Sequence, residues 1–186
     1  MQAKAVKPAE FERVIVDTTV QEKAIAHPVD SRLLEIARSK IVQAAKRSGI
    51  SLKQSYAKEG KELRRKAGGY AHAKQFRRMR KTVKRQRTIL GIVLREIKRK
   101  LATAELWCSA SLRHLNTLLE RARRIHQQQP KDKNKLYALH APEVECIGKG
   151  TARKPYEFGV KASIVVTHKN GAKTFPGNPY RWPYPS

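Results

Sequence analysis

The sequence predicts a helix-dominated α/β fold, and three observations carry that prediction. No proline occurs between Pro28 and Pro130, a gap that few soluble chains sustain unless they are helical. Inside the gap, apolar residues recur every three or four positions, the period of one helix face. Outside it lie two β-branched runs, Val14-Ile15-Val16 and Ile164-Val165-Val166, of the kind that fill strands.

Taken in order, Phe11–Val20 reads as a buried strand, and His27-Pro28 breaks it. Asp30 or Ser31 can cap the helix that follows, because a side-chain oxygen accepts from the free amides of the first turn. Leu33, Leu34, Ala37, Ile41, Ala44 and Ala45 mark its inner face, and Gly49 stops it. A second helix covers Leu52–Lys66, weakened by Gly60 and ended by Gly68-Gly69. A longer helical pattern starts near Tyr70. Phe76, Met79, Val83, Leu90, Val93, Ile97 and Leu101 face the core, and the spacing continues through Leu112, Leu115, Leu119, Ala122 and Ile125. This stretch is one very long helix or a hairpin with a turn near Gly91 or Ser109–Ser111, and its seam also suits self-association. After the polar linker Gln127–Lys135 come the apolar patches Leu136–Leu139 and Val144–Ile147. Then Tyr156–Thr167 reads as a hairpin strand turning at His168–Gly171.

The charge narrows the function. There are 41 Lys+Arg against 15 Asp+Glu, a formal net charge of +26. Self-repulsion of that size opposes compaction, so a polyanionic partner is expected, and nucleic acid comes first. A membrane is not expected: Ile89–Leu94 is far too short to span a bilayer, and no apolar leader opens the chain. Two cysteines, Cys108 and Cys146, make no disulfide framework and suit a reducing cytoplasm.

Eighteen Lys/Arg lie between Lys53 and Lys100, against Glu59, Glu62 and Glu96. A solvated helix face usually mixes signs, and this one hardly does. Arg64, Arg65, Lys66, Lys74, Arg77, Arg78, Arg80, Lys81, Lys84, Arg85 and Arg87 are the candidate contacts to double-stranded DNA, able to follow a phosphate backbone and release its counterions. No spacing here reads base sequence. Asp17 ends the Val14-Ile15-Val16 run and is followed by Thr18-Thr19. Such a carboxylate either hydrogen-bonds the next turn or holds a divalent ion for phosphoryl transfer. The residues alone leave both readings open.

The stretch ERVIVDTTVQEKAIAHPVDSRLL resembles the opening of the catalytic domain of bacterial insertion-sequence transposases of the Asp-Asp-Glu (DDE) type. KEGKELRRKAGGYAHAKQFRRMRKTVKRQRTILG, LYALHAPEVECIGKG and ARKPYEFGVKASI resemble the same subgroup in the same order, so the likeness runs from about Glu12 to Tyr180. It implies an RNase H-like fold with a helical insertion after the first strand, and Mg²⁺-dependent cleavage and joining of DNA ends. Asp17 matches the first catalytic carboxylate and is the expected metal ligand. The other two belong to an Asp-Arg-Gly-Tyr-type motif and an Ile-Glu-Pro-type motif, which do not occur in these residues.

The resemblance then divides the chain into the first core strand (1–29), a basic helical insertion (30–129), second and third strands (130–180) and an aberrant tail (181–186). The family's region ahead of the first strand is missing, and the third strand looks shortened, because Gly171 leads straight to AKTFPGNPY. The family continues Gly-Asn-Pro-Tyr with Asp-Gly-His-Thr-Leu. This chain reads Arg181-Trp182-Pro183-Tyr184-Pro185. GAT GGC CAT ACC CT, prefixed by C and read as CGA TGG CCA TAC CCT, converts one into the other. A frameshifted, incomplete core that binds DNA but does not cleave it alone is therefore expected.

Other residues carry less. His27, His72, His114, His126, His140 and His168 form no close metal-ligand pair, and Cys146 has no base beside it. Gly148-Lys149-Gly150-Thr151 lacks the upstream glycine and following helix of a phosphate-binding loop. Glu143, Glu145 and Glu157 could approach Asp17 in space, but the family pattern gives them no role. The competing readings are a non-enzymatic basic protein attached to structured RNA, and a helical adaptor that leaves the charge unexplained.

Overall fold

The structure, a computed structural model, describes residues 14–103, 110–148, 150, 152, 155–167 and 171–176. Cys108, His168 and the 181–186 tail lie outside the described residues. The chain divides into two compact units: a sheet unit, Met1–Ala24 with Glu143–Ser186, and a helical unit, Ile25–Pro142. Together they make a helix-dominated α/β protein, as expected.

In the sheet unit, β1 (Val14–Glu22) pairs antiparallel with β3 (Tyr156–Thr167), Val14 opposite Thr167 and Glu22 opposite Gly159. The other edge of β3 carries β2 (Glu145–Gly148) along its first residues and β4 (Gly171–Pro176) along its last. The two β-branched runs are thus direct neighbours. Of the expected turn, Gly171 pairs with Thr167 and so belongs to β4, and residues 168–170 lie outside the described residues. Lys23 extends the β1–β3 ladder by donating its amide to the Phe158 carbonyl, and its ammonium meets Glu143 at 3.1 Å. Gly159 is required by the pairing: a Cβ there would lie 2.2 Å from the Gln21 carbonyl oxygen. A glycine inside a strand commonly marks such a close backbone approach.

The helical unit holds α1 (Asp30–Arg47), α2 (Ala57–His72), α3 (Phe76–Thr103) and α4 (Ala110–Gln127). The long periodic stretch is therefore two helices. Gly91 lies inside α3, and residues 104–109 between the two are outside the described residues. Ala37, Ile41 and Ala45 of α1, Leu90, Val93 and Ile97 of α3, and Leu115, Leu119, Ala122 and Ile125 of α4 form one core. The seam expected to suit self-association is consumed inside this unit. Phe76 departs from expectation: it opens α3 with 54% of its surface exposed, beyond the reach of the core.

Helix ends also correct the sequence reading. Val29 is the N-cap of α1 and makes no side-chain cap, so Asp30 and Ser31 lie within the first turn. The predicted stop holds. Gly49 has φ 75°, its amide donates to Lys46, and Ile50 donates to Ala45. That pair of bonds is the Schellman arrangement, with the buried Ile50 supplying the usual apolar contact. α2 starts later than expected and runs through Gly68-Gly69 to His72. Packing overrides the propensity here: Ala67 is buried just before the pair, and the stop comes from Lys74, with φ 55°.

Gly60 is the other surprise in α2. It lies over a buried ion pair in which Arg38 donates Nε to Glu35 Oε2 at 2.9 Å and Nη2 to Oε1 at 2.6 Å. Nη1 of Arg38 donates to the Ser55 carbonyl at 2.6 Å, fixing the entry to α2. A Cβ at position 60 would sit 2.2 Å from Glu35 Oε2. Beyond α4, the patch at Leu136 is extended chain on the helices. Gln128 accepts from the Leu136 amide at 3.0 Å, and Arg121 donates to the Leu139 carbonyl at 3.0 Å.

Candidate nucleic-acid interface

The basic block lies on α2, the turn after it and α3. Arg64, Arg65, Lys66, Lys74, Arg77, Arg78, Arg80, Lys81, Lys84 and Arg85 are exposed, and Arg87 is half-buried. Two of these have carboxylate partners. Arg85 Nε meets Glu59 Oε1 at 2.7 Å, and Lys66 Nζ meets Glu62 Oε1 at 2.7 Å. The hydrogen bond to each partner raises the pKa of the base, and the Lys66 bond lowers that of Glu62. Both pairs are exposed, so they stabilise little. Among the described residues the other nine form no ion pair, although Arg78 also reaches the Gln75 carboxamide at 3.1 Å.

Along α3 these cations align. Arg80, Lys84, Arg87, Gly91, Arg95 and Lys98 follow one another at intervals of three and four, which is one stripe of a helix. The stripe advances roughly 1.5 Å per residue and so extends about 27 Å. Its opposite side, with Ile89, Val93 and Ile97, is in the core. At one end, Arg80, Lys84 and Arg87 border a groove of about 630 Å³ whose walls include Val29, Ala67, Ala71, Met79 and Val83. Among the described residues no carboxylate pairs with any cation of the stripe. Lys100 lies off it and is engaged by Glu96 at 3.1 Å. The Lys53 amide, donating at 2.8 Å, is the main cause holding the Glu96 carboxyl below its ordinary range.

Arg95 and Lys98 belong to the basic block but not to the candidate contacts read from sequence, and His126 is read there only as lacking a metal-ligand partner. The first two could have been found by extending the three-four spacing past Gly91. His126 needs the tertiary structure, since it comes from α4. A Cβ on Gly91 would lie 2.8 Å from His126 Nε2 and 3.3 Å from Arg95 Nη1. Glycine thus lets the imidazole approach the α3 backbone. Burial, followed by the charges of Arg87 and Arg95, lowers the His126 pKa below its ordinary value.

Asp17 stands in the middle of β1, opposite Ile164, which stands opposite Thr174 of β4. Across the sheet, β3 is central and β1, which carries Asp17, is an outer strand among the described residues. The register separates the other carboxylates from it. Glu145 pairs at Gly159 and Glu157 lies further along β3, roughly 17–24 Å from the Asp17 position at strand spacing. Cys146 is a half-buried free thiol in β2. His27, His72, His114 and His140 are exposed, and among the described residues no three His, Cys, Asp or Glu side chains gather as metal ligands. No helix among the described residues is long and apolar enough to cross a membrane.

The chain is similar to "Uncharacterized protein ORF8 in nfe locus" of Rhizobium meliloti, with 51% identity over 76 residues. That stretch is 41% of this chain and 37% of the relative. No family model matches the chain, and no solved structure matches it.

Proposed function

We propose that this chain binds duplex DNA through the basic face of its helical unit, as part of an insertion-sequence transposase of the DDE type. The observation that carries the DNA reading is the stripe of cations along α3 that no carboxylate neutralises among the described residues. A protein with no polyanionic partner gains nothing from such a row, because like charges in one line repel. A phosphate strand offers one negative charge per 3.4 Å of duplex axis, and each neutralised phosphate releases counterions. The groove beside Arg80 and Lys84 gives the contact relief but no donor pattern that would read bases.

The transposase part rests on the sequence resemblance. It is supported by the order strand, helical unit, strands, and by the antiparallel pairing of Asp17's strand with the long β3. We read the sheet as the opening strands of an RNase H-like core. The magnesium ion implied by the resemblance does not fit Asp17 alone. Mg²⁺ keeps its waters unless several oxygen ligands meet it in octahedral geometry, and the register keeps Glu145 and Glu157 away. No catalytic step is therefore derived through it.

The test is a mobility-shift assay with purified chain on duplex DNA and duplex RNA, repeated with Mg²⁺ on DNA carrying insertion-sequence ends. The expected result is a shift of duplex DNA with every strand intact. Preference for structured RNA would favour the competing RNA-associated reading. Nicking abolished by Asp17→Ala would show that these residues do build a working metal site.

A further inference from the structure

The donors around Gly91 have a chemistry that the stripe alone does not explain. Arg87 and Arg95 stand on the same side of α3, two turns apart, with Gly91 between them. His126 of α4 enters that gap, its Nε2 2.8 Å from the point a Cβ on Gly91 would occupy. All three groups carry N–H donors, and among the described residues no carboxylate accompanies them. Converging donors of one sign form a cradle for an anion.

We infer that Arg87, Arg95 and His126 hold one phosphate of the nucleic-acid strand at the α3–α4 contact. This rests on the DNA-binding reading above and adds to it a fixed point of contact whose strength depends on pH. A phosphate diester fits better than a carboxylate-bearing metabolite. The stripe continues on both sides, to Lys84 and Arg80 one way and Lys98 the other, so the strand's neighbouring phosphates are also met.

The sign of the pH effect follows from the neighbours. The charged groups facing His126 are Arg87 and Arg95, both on α3, and both oppose its protonation, as does burial. In the free protein burial and these two charges hold the ring's pKa below its ordinary value. A bound phosphate places negative charge between the three groups and favours the imidazolium. Binding then takes up a proton between the free and bound pKa values, and affinity rises as pH falls through that window. One proton gives at most about tenfold per pH unit. We expect duplex DNA to bind about three- to tenfold more tightly at pH 6 than at pH 7.5 at fixed ionic strength.

The experiment measures affinity for a short duplex against pH for the wild type and His126→Gln, and follows the His126 ring by NMR in free and DNA-bound protein. His126→Gln removes the titratable ring, keeps an N–H donor and should lose the pH dependence. The ring should titrate below its ordinary value when free and higher when bound. Arg95→Gln gives a second reading, since removing that charge should raise the titration point of the free ring. Salt-sensitive DNA binding that is flat in pH, or equally pH-dependent in His126→Gln, would overturn the phosphate site while leaving the DNA reading intact. Absence of salt-sensitive binding would overturn both.

Discussion

Arg38→Ala is expected to destabilise the helical unit by about 3–5 kcal/mol, the usual cost of leaving one partner of a buried ion pair uncompensated. Folded domains are stable by only about 5–15 kcal/mol, so a large part of the margin would go. Glu35 and Arg38 are buried and joined by two hydrogen bonds, and the third arm of the guanidinium holds the Ser55 carbonyl. Removing Arg38 leaves the buried Glu35 side chain under α2 without its partner and frees the chain that leads into that helix. The check is urea unfolding followed by helical circular dichroism, with the midpoint falling at nearly constant slope. Replacing both residues by apolar ones of similar size should cost less than Arg38→Ala alone, because no charge is then stranded. A loss below about 1 kcal/mol for Arg38→Ala would mean that the pair is solvated in solution.

Gly60→Ala is the second large effect, and its sign opposes helix propensity. In an open helix interior the change stabilises by about 1 kcal/mol. At position 60 the new methyl would fall 2.2 Å from Glu35 Oε2 and 2.8 Å from Arg38 Nε. Either the bidentate pair separates or α2 lifts away, and the expected cost is about 2–4 kcal/mol. Gly68 and Gly69 provide the control in the same helix, since a Cβ at either meets nothing within 4 Å. Gly68→Ala and Gly69→Ala should each stabilise by about 0.5–1 kcal/mol. Thermal unfolding of the three variants reads the contrast directly. Stabilisation by Gly60→Ala would show that α2 does not pack over the ion pair.

These two glycine sites mark where sequence reading stops. The patterning from Asp30 to Gln127 was legible, because a core face at 3.6-residue spacing needs only local information. The strand Tyr156–Thr167 was legible from its β-branched alternation, and its bounds agree with β3. Gly60 and Gly68-Gly69 look alike in sequence, as weak points of a helix. Only the partner helix distinguishes them, since Gly60 faces a buried ion pair and the other two face open space. Phe76 lies outside the core for the related reason that its sequence periodicity continues past the packed part of α3. The cationic surface was legible from the rarity of acids between Lys53 and Lys100. Which cations stay unpaired was not, because Glu59 reaches Arg85 from 26 residues away. His126 forms no close metal-ligand pair in the sequence, and no local signal connects it to Arg87 and Arg95.

If the unpaired cations of the helical unit form a contact surface for duplex DNA, binding must depend steeply on salt. Each neutralised phosphate contributes about −0.9 to the slope of log K against log salt concentration. The wild type should show a slope of about −4 or steeper for random-sequence duplex between roughly 50 and 200 mM salt. Neutralising Arg80, Lys84, Arg95 and Lys98 to glutamine should flatten it by about 3–4, with helical content retained. A wild-type slope near zero, or one that the fourfold variant leaves unchanged, would mean that these cations do not contact DNA.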